Sequence, residues 1–251
     1  MQIMRSQLDI ESYGISDIGL TRGNNEDVWA ELPSYHFYVL ADGIGGHQAG
    51  EIAAKEAVLE LCDAIDGFFS KNTTPSVESA SKVIRDGISA ANSWVRRLAK
   101  NHSELSGMGT TLCCLLLLGE TLLYTHLGDS RIYKFHGELE RLTDDHSTLQ
   151  KVVSRKDFDA TGKPLVKFKN VITKAIGIAD ILNTEIKTLP VQKGDIFLMC
   201  SDGLTNCVKD PDIEQILKSV PSIKQAAIQL VEKAKIGGGN DNITIVIIKI
   251  S

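Results

Sequence analysis

The alternation of apolar and polar positions divides the chain into blocks of strands and blocks of helices. Asp9 to Ser16 and Tyr35 to Asp42 read as strands. Two long helices are predicted to follow. Between Gln48 and Phe69, Ala54, Ala57, Val58, Leu61, Ile65 and Phe68 recur at helical spacing. Between Val77 and Lys100 the stripe is Val77, Ala80, Ile84, Ile88, Ala91, Val95 and Leu98, and Thr73-Thr74-Pro75-Ser76 ends one helix and caps the next. From Gly109 to Leu142 the pattern is strand-rich, with hairpins expected at Gly119-Glu120 and His136-Gly137. Ser147-Thr148-Leu149-Gln150 fits a capping box, which predicts a short helix there. Lys151 to Lys169 is polar without sustained periodicity and reads as a mobile surface segment. Strands return at Asn183 to Pro190, Asp195 to Asp202 and Asn242 to Ile250. Helices are expected between the last two, from Asp210 with Pro211 in its opening turn, and from Ser222 with Gln225 completing a capping box.

Segregated blocks of this kind predict an α+β fold: two packed antiparallel sheets with a helical pair outside each. No internal repeat, low-complexity tract or linker interrupts residues 1–251, so one domain is expected.

The ends of the apolar runs carry the chemistry. Asp42, Asp129, Asp202 and Asp241 each follow or border a predicted strand, and Glu26-Asp27 adds an acidic pair upstream. A carboxylate beside a core loses hydration unless something compensates it, and too few basic residues flank these positions to pair with all of them. A cation resolves the conflict. Oxygen donors without His or Cys at ligand spacing favour Mg²⁺ or Mn²⁺ over Zn²⁺, and several carboxylates can hold two ions about 3.5–4 Å apart, suited to displacement at phosphorus. Arg22 precedes the acidic pair and presents a planar fork matched to phosphate oxygens; a salt bridge to Glu26 or Asp17 is the structural alternative.

Composition narrows the setting. A 43% hydrophobic chain is not disordered, and a net charge of −5 without a basic stripe argues against a nucleic-acid partner. Cys62, Cys113, Cys114, Cys200 and Cys207 are odd in number and mostly apolar in context, as for reduced core thiols, with only one of Cys113-Cys114 expected to face the core. The first residues lack an apolar leader and Leu112 to Leu118 is too short to span a bilayer. A soluble, cytoplasmic monomer is expected.

The chain resembles the type 2C family of metal-dependent protein serine/threonine phosphatases, in its compact bacterial form. The resemblance is carried by Arg22 with Asn25-Glu26-Asp27, Ala41-Asp42-Gly43-Ile44-Gly45-Gly46-His47, Gly109-Thr110-Thr111 and Gly128-Asp129-Ser130-Arg131. It continues through Leu142-Thr143 with Asp145-His146-Ser147, Ile172-Thr173-Lys174-Ala175-Ile176-Gly177, Ser201-Asp202-Gly203-Leu204 and Asp241-Asn242-Ile243-Thr244. It runs from about Gly14 to Ile248 in the family's order, and implies a four-layer αββα sandwich with the site at one edge.

By that resemblance Asp42 bridges two Mn²⁺ or Mg²⁺ ions, Gly43 gives a carbonyl, and Asp202 and Asp241 complete the set. Glu26 and Asp27 act through ion-bound waters, Asp129 with Asp202 holds a third, weaker ion, and Arg22 holds the phosphate. A metal-activated hydroxide then attacks phosphorus directly. Animal members carry histidine directly after Asp-Gly, where this chain has Ile44, which leaves the general acid open between His47 and a metal-bound water. The implied partners are phosphoserine and phosphothreonine proteins made by a serine/threonine kinase in signalling. A catalytically silent phosphoprotein-binding module and a small-phosphoester hydrolase are the alternatives. Residues 151–169 stand at the family's variable flap. Lys151, Arg155, Lys156, Lys163, Lys167 and Lys169 outnumber Asp157 and Asp159 there, which suggests steering of acidic phosphopeptides. Gly45-Gly46 reads as close helix packing or a tight turn, and His146 as a structural hydrogen-bonding residue at a helix start.

Overall fold

The computed structural model describes residues 8–45, 48–158 and 164–251. In chain order the strands and helices are β1 (Ile10–Asp17), β2 (Asp27–Leu32), β3 (Phe37–Ile44), α1 (Gln48–Phe69), α2 (Val77–Asn101), β4 (Gly109–Thr110), β5 (Leu112–Leu118), β6 (Thr121–Leu127), β7 (Arg131–Phe135) and β8 (Leu139–Arg141). They continue with β9 (Ser147–Phe158), β10 (Pro164–Ile172), β11 (Lys187–Pro190), β12 (Ile196–Cys200), α3 (Asp202–Thr205), α4 (Asp210–Ser219), α5 (Ile223–Ile236) and β13 (Ile243–Ile250).

Two antiparallel sheets form the centre. One has the order β1-β13-β12-β7-β8; the other has β11-β6-β5-β3-β2, with β4 paired to β3. Alternation along the strands sorts side chains into three apolar layers. Tyr38 and Leu40 of β3 meet Phe197, Met199, Val246 and Ile248 between the sheets. Val39 and Ala41 point the other way, into the layer under α1 and α2 with Leu61, Ile65, Ile84 and Ile88. Ile245 and Ile247 of β13 turn toward α4 and α5, against Ile213, Leu230 and Val231. Period-two sequence therefore becomes a helix–sheet–sheet–helix stack, as expected, and each of these layers excludes water from large aliphatic side chains. Ser76 caps α2 by accepting from the Ser79 N–H at 3.1 Å.

Four expectations are corrected. Residues Asp27–Leu32 form a strand that the pattern did not reveal. Ser147 opens β9 rather than a helix, and residues on either side of 159–163 pair as a hairpin, from Ser147↔Ile172 to Phe158↔Pro164. Partners about twenty residues away decided this; a local capping signature reports only on its own turn. The charged side chains counted in that segment lie outside the described residues. Cys113 and Cys114 are both buried, one between the sheets and the other under α1 and α2, so each faces a core. Ser222 does take the N-cap position of α5, yet its side chain makes no capping bond.

Candidate active site

Strand pairing brings the acidic residues together. In the β2–β3 register Asp27 stands directly opposite Asp42, and the Gly43 N–H donates to the Glu26 carbonyl at 3.1 Å. Asp202 follows β12 and Asp241 precedes β13, which are adjacent strands of the other sheet; Asp129 lies in the turn between β6 and β7. Close backbone approach holds α1 to this edge. A Cβ on Gly43 would come within 2.4 Å of the Gly50 carbonyl group, so that position has no room for a side chain, and one on Gly50 would come within 1.9 Å of Glu26 Oε2 and displace that carboxylate. Gly45 also packs on the start of α1, as expected, whereas Gly46 and His47 lie outside the described residues.

Buried hydroxyls fix the aspartates from behind. The Asp42 N–H donates to Thr111 Oγ1 at 2.9 Å, the Thr111 N–H returns a bond to the Asp42 carbonyl at 2.9 Å, and Thr111 Oγ1 shares a 2.8 Å bond with Ser130 Oγ. Ser201 Oγ donates to Asp27 Oδ2 at 2.8 Å and accepts from the Thr244 N–H at 2.9 Å. Asn242 bridges the two sheets. Its Oδ1 accepts from the Glu26 N–H at 2.8 Å, and its Nδ2 donates to the Ile18 and Asn24 carbonyls at 3.0 and 2.9 Å. These positions fall within the motifs singled out in the sequence, but spacing alone assigned them no task; polar residues inside an apolar strand context were the signal.

The electrostatics follow from this crowding. Burial, then neighbouring carboxylates, raise the Asp42 pKa well above the ordinary carboxylate value, with Asp27, Asp202, Asp241 and Asp129 all contributing. Burial and its acidic neighbours push Asp202 up to about 7, and burial is the main cause that lifts Asp27 to about 6. Burial also raises Glu26 and Asp129. Such a cluster is short of positive charge. Arg22 supplies part of it through a 2.7 Å bond to Asp241 Oδ2, in place of the Glu26 or Asp17 contact considered from sequence; Asp17 instead pairs with Lys235 at 3.3 Å.

The donor set fits hard divalent ions. It is all oxygen, and Asp27 Oδ1 is buried with no hydrogen-bond partner among the described residues. Among the described residues no three His, Cys, Asp or Glu side chains form a ready coordination group.

A pH dependence follows for the chelated protein. Between the usual carboxylate value near pH 4 and the raised values of about 6 and 7 for Asp27 and Asp202, the folded state keeps protons that the unfolded chain has released. Stability should therefore fall as pH rises through that window. Melting curves in EDTA from pH 5 to 8 are expected to show a declining Tm, and saturating Mg²⁺ should remove the decline; an EDTA profile that rises would contradict the crowding.

An oxygen-lined acidic centre with one guanidinium, at the edge of an αββα sandwich, defines a centre for metal-assisted chemistry on anionic esters. Residues 22–235 match the family model described as protein phosphatase 2C. The serine/threonine phosphatase stp of Listeria monocytogenes is 33% identical over 243 residues, covering 93% of each chain. Protein phosphatase PhpP of Streptococcus pneumoniae is 31% identical over 241 residues, covering 94% of this chain and 96% of that protein. Among solved structures, the catalytic domain of the serine/threonine protein phosphatase PstP in complex with two manganese ions superposes with a TM-score of 0.79 at 29% identity, over 97% of this chain and 99% of that one. The chain belongs to the protein phosphatase 2C family.

Proposed function

We propose that this protein-serine/threonine phosphatase hydrolyses phosphoserine and phosphothreonine on proteins by direct attack of water, without a covalent phosphoenzyme. The observation that carries the reading is the convergence of Asp27, Asp42, Asp202 and Asp241 from both sheets, where Asp27, Asp202 and Asp241 all raise the pKa of the buried Asp42, with Arg22 beside them. Asp42, Asp202, Asp241 and the Gly43 carbonyl would hold two Mn²⁺ or Mg²⁺ ions, Asp129 with Asp202 a third, and Glu26 and Asp27 would orient waters around them. The PstP domain solved with two manganese ions supports this assignment. Bound there, the ions supply Lewis acidity and an activated water near neutral pH. Arg22 would turn toward the phosphate oxygens and offset the charge that grows on them. Either His47 or a water at the ions would protonate the departing alkoxide.

The test is turnover of phosphoserine and phosphothreonine peptides against a small aryl phosphate, with and without Mn²⁺. Mn²⁺-dependent peptide turnover well above that of the aryl ester supports the reading. Binding without turnover would assign a silent module, and a preference for the small ester would assign a different hydrolase.

Arg22 offers a sharper prediction. Its bridge to Asp241 is half exposed, with side-chain exposures of 49% and 31%, so an incoming phosphate or ion displaces it at little cost. Arg22→Ala is expected to lower kcat/KM by about 1.5–3 kcal/mol, chiefly through KM. Mn²⁺ affinity should stay level or tighten, because a competitor for Asp241 is gone. Weakened Mn²⁺ binding with unchanged peptide KM would make Arg22 a purely structural partner of the aspartate.

A further inference from the structure

A groove of about 1230 Å³ opens beside the acidic centre and shares Arg22 and Glu26 with it. Asn24 joins them from the loop between β1 and β2, Glu51 and Ile52 come from the first two turns of α1, and Glu104 and Leu105 from the short turn at Ser103–Leu105 that follows α2. Sites for small molecules enclose roughly 300–1,000 Å³, so a phosphate and its ester carbon leave most of this space unfilled. A phosphorylated side chain that reaches the centre brings its neighbours in the polypeptide into the groove.

The lining combines apolar side chains with two carboxylates that lack a permanent counter-charge. Leu105 is 9% exposed and Ile52 is half-buried, while Glu104 is exposed. Glu51, half-buried, is held by Asn24, whose Nδ2 donates to its Oε2 at 3.2 Å, and it has no cationic partner among the described residues. For Glu104 the one charged contact there is His102 Nδ1 at 3.4 Å, a ring that is positive only when protonated. Arg22 is the one cation on the lining among the described residues, and it is taken by Asp241 in this structure and by phosphate in the proposed reaction.

Such a surface fits one kind of side chain. Arginine and lysine lay an aliphatic stem on apolar surface and carry their charge at the tip, where a carboxylate takes it in a charge-assisted hydrogen bond. Aspartate or glutamate in the same place would meet like charge. Resting on the phosphatase reading above, we propose that the groove selects phosphoproteins with a basic residue close in sequence to the phosphorylated serine or threonine, and that Glu51 and Glu104 recognise it. This preference is opposite to the one suggested by the charge count over 151–169.

Matched phosphothreonine peptides with arginine, glutamine or glutamate flanking the phosphorylated residue separate the two. Each would be turned over by the full chain in Mn²⁺, and its kcat/KM divided by that for a small aryl phosphate on the same protein. The arginine peptide is expected to exceed the glutamate peptide about tenfold or more, with the gap narrowing as salt rises. Glu51→Gln with Glu104→Gln, which keeps an acceptor for Asn24, should reduce that ratio to about threefold or less. Equal turnover of the flanked peptides by the parent, a preference for the glutamate peptide, or a ratio that the double variant leaves unchanged overturns the proposal. If no peptide is hydrolysed while the aryl ester is, the phosphatase reading fails by itself, and peptide affinity by fluorescence anisotropy decides the groove. Tighter binding of the arginine peptide that the double variant loses would support it, and equal binding of the peptides would overturn it.

Discussion

Asp42→Asn is expected to reduce phosphopeptide turnover by about 10²–10³-fold, the loss typical of removing one preorganised charge from a transition state. The substitution changes charge and almost no volume, and the backbone bonds of Asp42 to Thr110 and Thr111 do not involve the atom replaced. Stability should move in two directions. In EDTA the variant should melt at or above the parent, because one member of a like-charged cluster is gone. With Mn²⁺ added, the parent should gain stability by ligand linkage and the variant much less. Asp202→Asn and Asp241→Asn should behave alike in turnover. An Asp42→Asn protein that stays active, or that melts several degrees lower in EDTA, would show that this carboxylate is not an ion ligand.

Asn242→Ala should be the most damaging single truncation for stability near the site. It removes one acceptor and two donor contacts at once, leaving the Glu26 N–H and the Ile18 and Asn24 carbonyls without their partner. At about 1 kcal/mol per lost bond the cost is about 3 kcal/mol, or roughly 6–12 °C in Tm for a chain of this size. Asn242→Asp should fail as well, since a carboxylate accepts from Glu26 but cannot donate to the two carbonyls. Mn²⁺ should not restore either variant fully, because the clamp sets the loop between β1 and β2 rather than the charge balance. A Tm within a degree or two of the parent would mean that the loop is held elsewhere.

The parts of this molecule that were legible in sequence are those whose signal is local and repeated. The α1 bounds, Gln48–Phe69, follow from one apolar stripe, and β13 from a run of β-branched and aliphatic residues broken only by Lys249. Asp42, Asp202 and Asp241 were visible because a carboxylate at the end of such a run is out of place without a counter-charge. β2 was missed because Asp27-Val28-Trp29-Ala30-Glu31-Leu32 is short, lies at a sheet edge and mixes in alanine and glutamate, both weak strand formers. Its omission hid the register that sets Asp27 against Asp42. The Arg22–Asp241 contact and the Asn242 clamp join residues more than two hundred positions apart, and no local pattern encodes such a pairing.

The placement of β13 has a consequence in time. It lies between β1 and β12 and pairs with β1 from Ile10↔Ile250 to Asp17↔Ile243, so an early strand is matched to one made much later. At about 5–20 residues per second, on the order of 10–50 seconds of synthesis separate the two. Throughout that interval β1 has no ladder partner, and Asp241 and Asn242 do not yet exist. The nascent chain can assemble the β2–β3 half of the acidic cluster well before the other half exists, so the same late strand both closes the sheet and completes the cluster.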